Sequence, residues 1–150
     1  MPDDRGFMAE ALKQAEEAAR AGEVPVGAVL VKDNAVLAVA RNRREELNDA
    51  TAHAELLLLR RAGSILGGWR LSGCALYVTI EPCPMCAGAM VLARVDRLIF
   101  GAADPKAGAA GSLYDIVCDQ RLNHRLEVTG GIMAEDCAAL LRRFFQLRRF

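Results

Sequence analysis

The amino-acid sequence predicts an α/β protein, a three-layer α/β/α sandwich built on a mixed sheet of five strands. Three observations carry that expectation. Beyond residue 52, β-rich runs alternate with helical apolar stripes, the pattern of parallel strands joined by crossover helices. Two earlier β-rich runs meet at Lys32-Asp33-Asn34, a hairpin signal that makes this pair antiparallel. And 150 residues, 53% hydrophobic and 25% charged, suit one ordinary globular domain with a core of its own.

The elements follow in order. Asp3 or Asp4 caps a first helix that runs to about Ala21 on the stripe Phe7, Ala11, Leu12, Ala15, Ala18 and Ala19, and Gly22 stops it. Residues 24–31 and 35–41 form the hairpin, and residues 42–51, polar and without period, a loop. A helix is expected over about 52–62, a strand over 74–81, a helix from Pro84 to about Ala93 and a strand over 95–100. The Gly/Ala-rich stretch 101–115 is too long for a simple connection, and loops of that size are usually functional. A short strand at 126–129 and a helix from Glu135 close the chain.

Composition narrows the setting. The net charge is zero, which by itself argues for neither nucleic acid nor membrane. No run reads as a membrane span, because Lys32, Asp33 and Asn34 interrupt the most apolar N-terminal stretch, and the start lacks a secretory layout. No membrane partner is expected. Five cysteines are an odd number in a chain that needs no disulfides, which predicts a reducing, cytoplasmic environment. Cys74, Cys118 and Cys137 read as small buried hydrophobes.

Cys83 and Cys86 differ. They stand three residues apart where a strand gives way to a helix, so both thiols lie on one face near the positive end of the helix dipole. That suits a metal or a redox pair equally well. Pro82 and Pro84 stiffen the turn, and a feature upstream favours the metal. In Thr51-Ala52-His53-Ala54-Glu55, a histidine opens a helix with an acid two residues on. Alone, such a pair is ordinary surface or cap chemistry. Together, His53, Cys83 and Cys86 make a three-ligand zinc set with its fourth position open to water. Zinc lowers the pKa of that water, and Glu55, not needed as a ligand, is placed to take its proton. Both helix starts converge at one end of the sheet, where α/β proteins commonly bind ligands. A closed four-ligand site would need His124 or another cysteine brought in by tertiary contact. The expectation is one zinc per chain.

His53-Ala54-Glu55 followed by Pro82-Cys83-Pro84-Met85-Cys86 resembles the signature of zinc nucleobase deaminases, a group that includes adenine-acting enzymes. These motifs fit cytidine, cytosine, guanine and adenosine deaminases alike. The stretch Phe100 to Leu113, Asn123-His124, Pro25 to Val29, Asn42, and Cys137 to Leu141 with Phe144-Phe145 are similar to the bacterial tRNA-specific adenosine deaminases, over nearly the whole chain. The resemblance implies a cytidine-deaminase-like fold and zinc held by His53, Cys83 and Cys86. It implies that Glu55 shuttles protons while adenosine at the wobble position of a tRNA anticodon stem-loop is hydrolysed to inosine. A flipped base would rest against Asn42 and the backbone of Ala54, and RNA contacts would come from the Asp104 loop and the last helix of a homodimer.

A free-base or nucleoside deaminase, such as a guanine deaminase, shares the Glu81-to-Cys86 run and is the alternative enzyme. A non-catalytic zinc-stabilised RNA-binding module is the alternative of another kind, and Glu55 speaks against it. The Asp104 carboxylate is expected to accept a hydrogen bond from a ribose hydroxyl, or else simply to form a turn before Pro105. Cations cluster at Arg41, Arg43 and Arg44 and again at Arg142, Arg143, Arg148 and Arg149, of which Arg148 and Arg149 are expected to meet RNA.

Overall fold

A computed structural model describes residues 3–148. Asp3 opens α1 (Asp4–Arg20), its carboxylate accepting a hydrogen bond from the Gly6 N–H, and Gly22 follows the helix at φ +81°. The hairpin of β1 (Gly27–Lys32) and β2 (Ala35–Arg41) turns on Asp33 and Asn34, both at positive φ, as a two-residue hairpin loop requires. The chain continues through α2 (Arg44–Leu47), α3 (Ala54–Leu66), β3 (Cys74–Ile80), α4 (Pro84–Leu92), β4 (Arg97–Ala102), β5 (Glu127–Thr129) and α5 (Ala134–Leu147).

The five strands form one sheet in the order β2-β1-β3-β4-β5. β1 is antiparallel to β2 and to β3, while β3, β4 and β5 are parallel. The expected mixed sheet is therefore observed. Because successive strand residues point to opposite faces, each strand feeds two cores. Ala28, Leu30, Leu76, Val78 and Leu98 pack with Leu58 of α3 and Met90 of α4 on one face. Val29, Val31, Tyr77 and Ile99 pack with Met8, Ala11 and Leu12 of α1 and Leu140 of α5 on the other. Helix α1 lies directly on β1: a Cβ at Gly27 would stand 2.1 Å from the Ala11 carbonyl oxygen.

Two expectations are corrected. Residues 42–51 are not all loop, since Arg44–Leu47 is a helical turn. Its start is capped from a distance, by the buried Glu23 carboxylate accepting from the Glu45 and Glu46 N–H groups at 3.1 and 2.8 Å. Helix α3 begins two residues later than expected and runs past Gly63 to a left-handed Gly67. A glycine inside a helix costs only about 1 kcal/mol, which the packing on the sheet overrides. No helix among the described residues is long and apolar enough to cross a membrane.

Near the start of β4, Tyr77 donates to Asp4 at 2.6 Å and Arg97 grips the same carboxylate at 3.0 Å while reaching Thr129 Oγ1. These bonds tie α1 to β3, β4 and β5. The Arg97 guanidinium, with help from Tyr77, holds the Asp4 carboxyl below its ordinary value. A lowered carboxyl adds stability above its unfolded pKa and loses it as pH falls through the folded value. Asp4→Asn should therefore cost about 1 kcal/mol in urea unfolding at pH 7, with the gap to the native protein closing as pH drops below about 4. An equal gap at pH 7 and pH 3 would remove the ionic contribution.

Candidate active site

His53 and Cys83 occupy equivalent places: each is the extended residue just before a helix, α3 and α4 respectively, and Cys86 sits in the first turn of α4. Both helices lie on the same face of the sheet, so the two starts meet. His53 Nδ1 stands 3.6 Å from Cys83 Sγ and 3.5 Å from Cys86 Sγ, and all three ligand atoms lie within 4.8 Å of one another. Nitrogen and sulfur bound to zinc at about 2.0 and 2.3 Å on a tetrahedron stand about 3.6 Å apart. The donor set and its spacing thus fit a metal ion, and no other histidine, cysteine or carboxylate completes the group among the described residues.

The remaining candidates for a fourth ligand are engaged elsewhere. His124 Nε2 lies 2.6 Å from the Val95 carbonyl, Cys118 donates to the Leu126 carbonyl, and Cys74 and Cys137 are buried in the cores. All five cysteines are free thiols.

The protonation states report the same strain for charge. A hydrogen bond from Cys86, together with His53, draws the Cys83 thiol well below its ordinary value. That same bond and burial drive Cys86 up. Ionisation of one thiol thus opposes that of the other, and a cation bound by both would favour ionisation of the pair. Contact with Cys83 raises His53. Glu55, second residue of α3 and only 3% exposed, is pushed up to about 7 by burial. A carboxyl poised there takes and returns protons near neutral pH.

Asn42 and Ala54, expected to share a pocket, are in direct contact. Asn42 Oδ1 accepts from the Ala54 N–H at 2.8 Å, and its amide donates to the Val24 carbonyl. Asp104 is half-buried, and its Oδ1 accepts from the Lys106 and Ala107 N–H groups, so the turn is real. Arg148 stacks over the Phe144 ring at 4.3 Å and lines a groove of about 430 Å³ with Asn42, Arg44 and Glu45. Arg149 lies outside the described residues. Arg142 does not join a free basic stripe, because it pairs with Glu135, and Arg41 and Arg43 both pair with Glu46.

One residue of the site went unread in sequence. Glu81 follows the last residue of β3, two residues before Cys83, is 2% exposed, and accepts hydrogen bonds from Asp104, Ala110 and Ser112. Burial opposes its ionisation, but the bonds from Ser112 and from the Asp104 and Ala110 N–H groups outweigh it and leave the carboxyl lowered. The only local signal was an acid at a strand end, since its donors lie 23 to 31 residues onward.

A sandwich that gathers His-x-Glu and Cys-x-x-Cys at two facing helix starts defines a deaminase, and residues 2–149 match the family model of the MafB19-like deaminases. The chain is 49% identical over 146 residues to the tRNA-specific adenosine deaminase of Bacillus subtilis (strain 168), covering 97% of this chain and 91% of that one. It belongs to the family of tRNA-specific adenosine deaminases. A solved structure from studies of A-to-I editing by tRNA:A34 deaminases at the wobble position of transfer RNA matches with a TM-score of 0.87 and 46% identity, over 91% of this chain and 99% of that one. A guanine deaminase from Bacillus subtilis is further away on both measures, with a TM-score of 0.66 and 34% identity over 100% of this chain and 96% of that one.

The charge argument makes a prediction about the thiols. In metal-stripped protein at pH 6, iodoacetamide should label Cys83 well ahead of Cys118, because only Cys83 is held as a thiolate there. Adding zinc should suppress that labelling. Equal labelling of the two, read by peptide mass spectrometry, would show that Cys83 is not depressed.

Proposed function

We propose that the protein is a zinc-dependent hydrolase that converts adenosine to inosine at the wobble position of a tRNA anticodon, as a single deaminase domain with one zinc per chain. The observation that carries this reading is a His/Cys/Cys group beside a buried acid that is not part of it, in a chain nearly half identical to tRNA-specific adenosine deaminases. His53, Cys83 and Cys86 hold the zinc. Bound there, the ion supplies Lewis acidity that brings the pKa of a water towards neutral.

Glu55 moves the protons. It takes one from the attacking water and delivers it to N1 of the adenine ring, and then carries the remaining proton of the new C6 hydroxyl to the departing amine, so that adenosine and water become inosine and ammonia. Its poise near neutral pH suits both directions of transfer. Asn42 and the Ala54 backbone, already held against each other, form the wall on which the extruded base rests. Arg148, beside Asn42 in one groove, supplies positive charge for the phosphates despite a net charge of zero. An anticodon loop offers a base that is already unpaired and cheap to extrude.

A homodimer in the cytoplasm is the setting we infer. The apolar groove between α3 and α4, about 610 Å³ and lined by Leu56, Leu59, Trp69 and Leu92, supports a second copy as its cover, since Trp69 is 59% and Leu92 71% exposed.

Glu55→Ala should keep its zinc and its fold but lose turnover by roughly 10³-fold, read as inosine in the anticodon hairpin by mass spectrometry. Loss of zinc in step with activity would make Glu55 a ligand. Cys86→Ala should lose both metal and activity. Efficient ammonia release from free guanine, with none from tRNA, would favour the guanine deaminase reading.

Asp104→Asn keeps an oxygen for the Lys106 and Ala107 turn and removes only the charge. If the carboxylate senses a ribose 2′-hydroxyl, this variant should lower the ratio of activity on RNA to that on matched single-stranded DNA. An unchanged ratio would leave Asp104 as a turn residue alone.

A further inference from the structure

The buried Glu81 carboxylate is satisfied by an unusual set of partners. Oε1 accepts from the Asp104 N–H at 3.0 Å and from the Ser112 hydroxyl. Oε2 accepts from the Ala110 N–H at 2.9 Å and the Ser112 N–H at 3.0 Å. Every donor comes from the Gly/Ala-rich loop, and none from the metal cluster. Two backbone bonds complete the join: Glu81 N–H donates to the Ala102 carbonyl, and Ala109 N–H donates to the Pro82 carbonyl, each at 2.8 Å.

The approach is close enough to dictate a glycine. A Cβ at Gly108 would stand 2.4 Å from the Glu81 carboxyl carbon. A loop of small side chains has little apolar surface with which to order itself, so its conformation depends on these polar bonds.

We propose that Glu81 is a positioning residue that fixes the Asp104-to-Ser112 loop against the Cys83 turn, and so sets where Asp104 stands relative to the metal cluster. In the reaction it touches neither substrate nor metal. It acts through the loop.

The chemistry singles out a test. Four donors converge on two oxygens, so the group must be acceptor-only. Glutamine is isosteric but replaces one acceptor with an NH₂ donor. Placed opposite Ala110 and Ser112, that NH₂ would face two fixed N–H groups. Placed on the other side it faces one, because the Ser112 hydroxyl can turn round and accept. The bond sacrificed is then the one from Asp104.

Glu81→Gln should therefore raise hydrogen exchange at the Asp104 amide roughly tenfold while β3 and α4 stay protected, with zinc content unchanged. Resting on the proposed activity, the kinetic arm expects KM for an anticodon hairpin to rise roughly tenfold with kcat within about threefold of the native value. Gly108→Ala, whose Cβ would crowd both the Glu81 carboxyl and the Asp104 carbonyl oxygen, should loosen the same loop, and Ser112→Ala, which removes one bond, should give a weaker version. Unchanged exchange at Asp104 would overturn the proposal. So would a fall in zinc content or kcat at constant KM, which would mark Glu81 as a merely structural support. If the native protein leaves the hairpin unmodified, the proposed function fails by itself, and the exchange data still decide the role of Glu81.

Discussion

Charge is the scarce resource at the centre of this protein. Two thiols, an imidazole and a carboxyl crowd the starts of α3 and α4, and without a cation that space tolerates a single negative charge. Burial, more than its charged neighbours, keeps Glu55 from ionising as readily as a surface acid. A divalent cation held by both thiols would balance that charge and leave the buried acid beside it to exchange protons. Structure and reactivity here are two readings of one electrostatic constraint.

That crowding is possible because the helix starts are held by polar side chains from elsewhere. Asn42, at the end of β2, fixes the first N–H of α3, and Glu23 does the same for α2. Each is buried, and each is satisfied. The residues that position the chemistry are thus mostly not the residues that perform it.

This explains which parts could be read from the sequence. The Asp3 cap, the Asp33-Asn34 turn and the spacing of Cys83 and Cys86 are local, and each forms as expected. Runs of β-rich residues placed the strands, and the spacing of His53, Cys83 and Cys86 pointed to the cluster. What stayed hidden depends on partners far along the chain. The helical turn at Arg44–Leu47 is capped by a residue 22 positions earlier, and the ordered loop after β4 hangs on an acid that precedes it by more than 20. The pairing within the basic clusters is likewise invisible in the sequence. Arg41 and Arg43 are paired with Glu46, and Arg142 with Glu135, so part of the charge that is dense in sequence is neutralised in space.

Arg97 opens β4 and Ala102 closes it, and the ionic lock of Asp4, Tyr77 and Arg97 stands at the opening end. The His53, Cys83 and Cys86 group lies beyond the closing ends of β3 and β4, about 16 Å along the strands at the usual rise per residue. Thermal tolerance and turnover therefore occupy opposite poles of one sheet. Substitutions that strengthen or loosen the Asp4–Arg97 contact act far from the site residues.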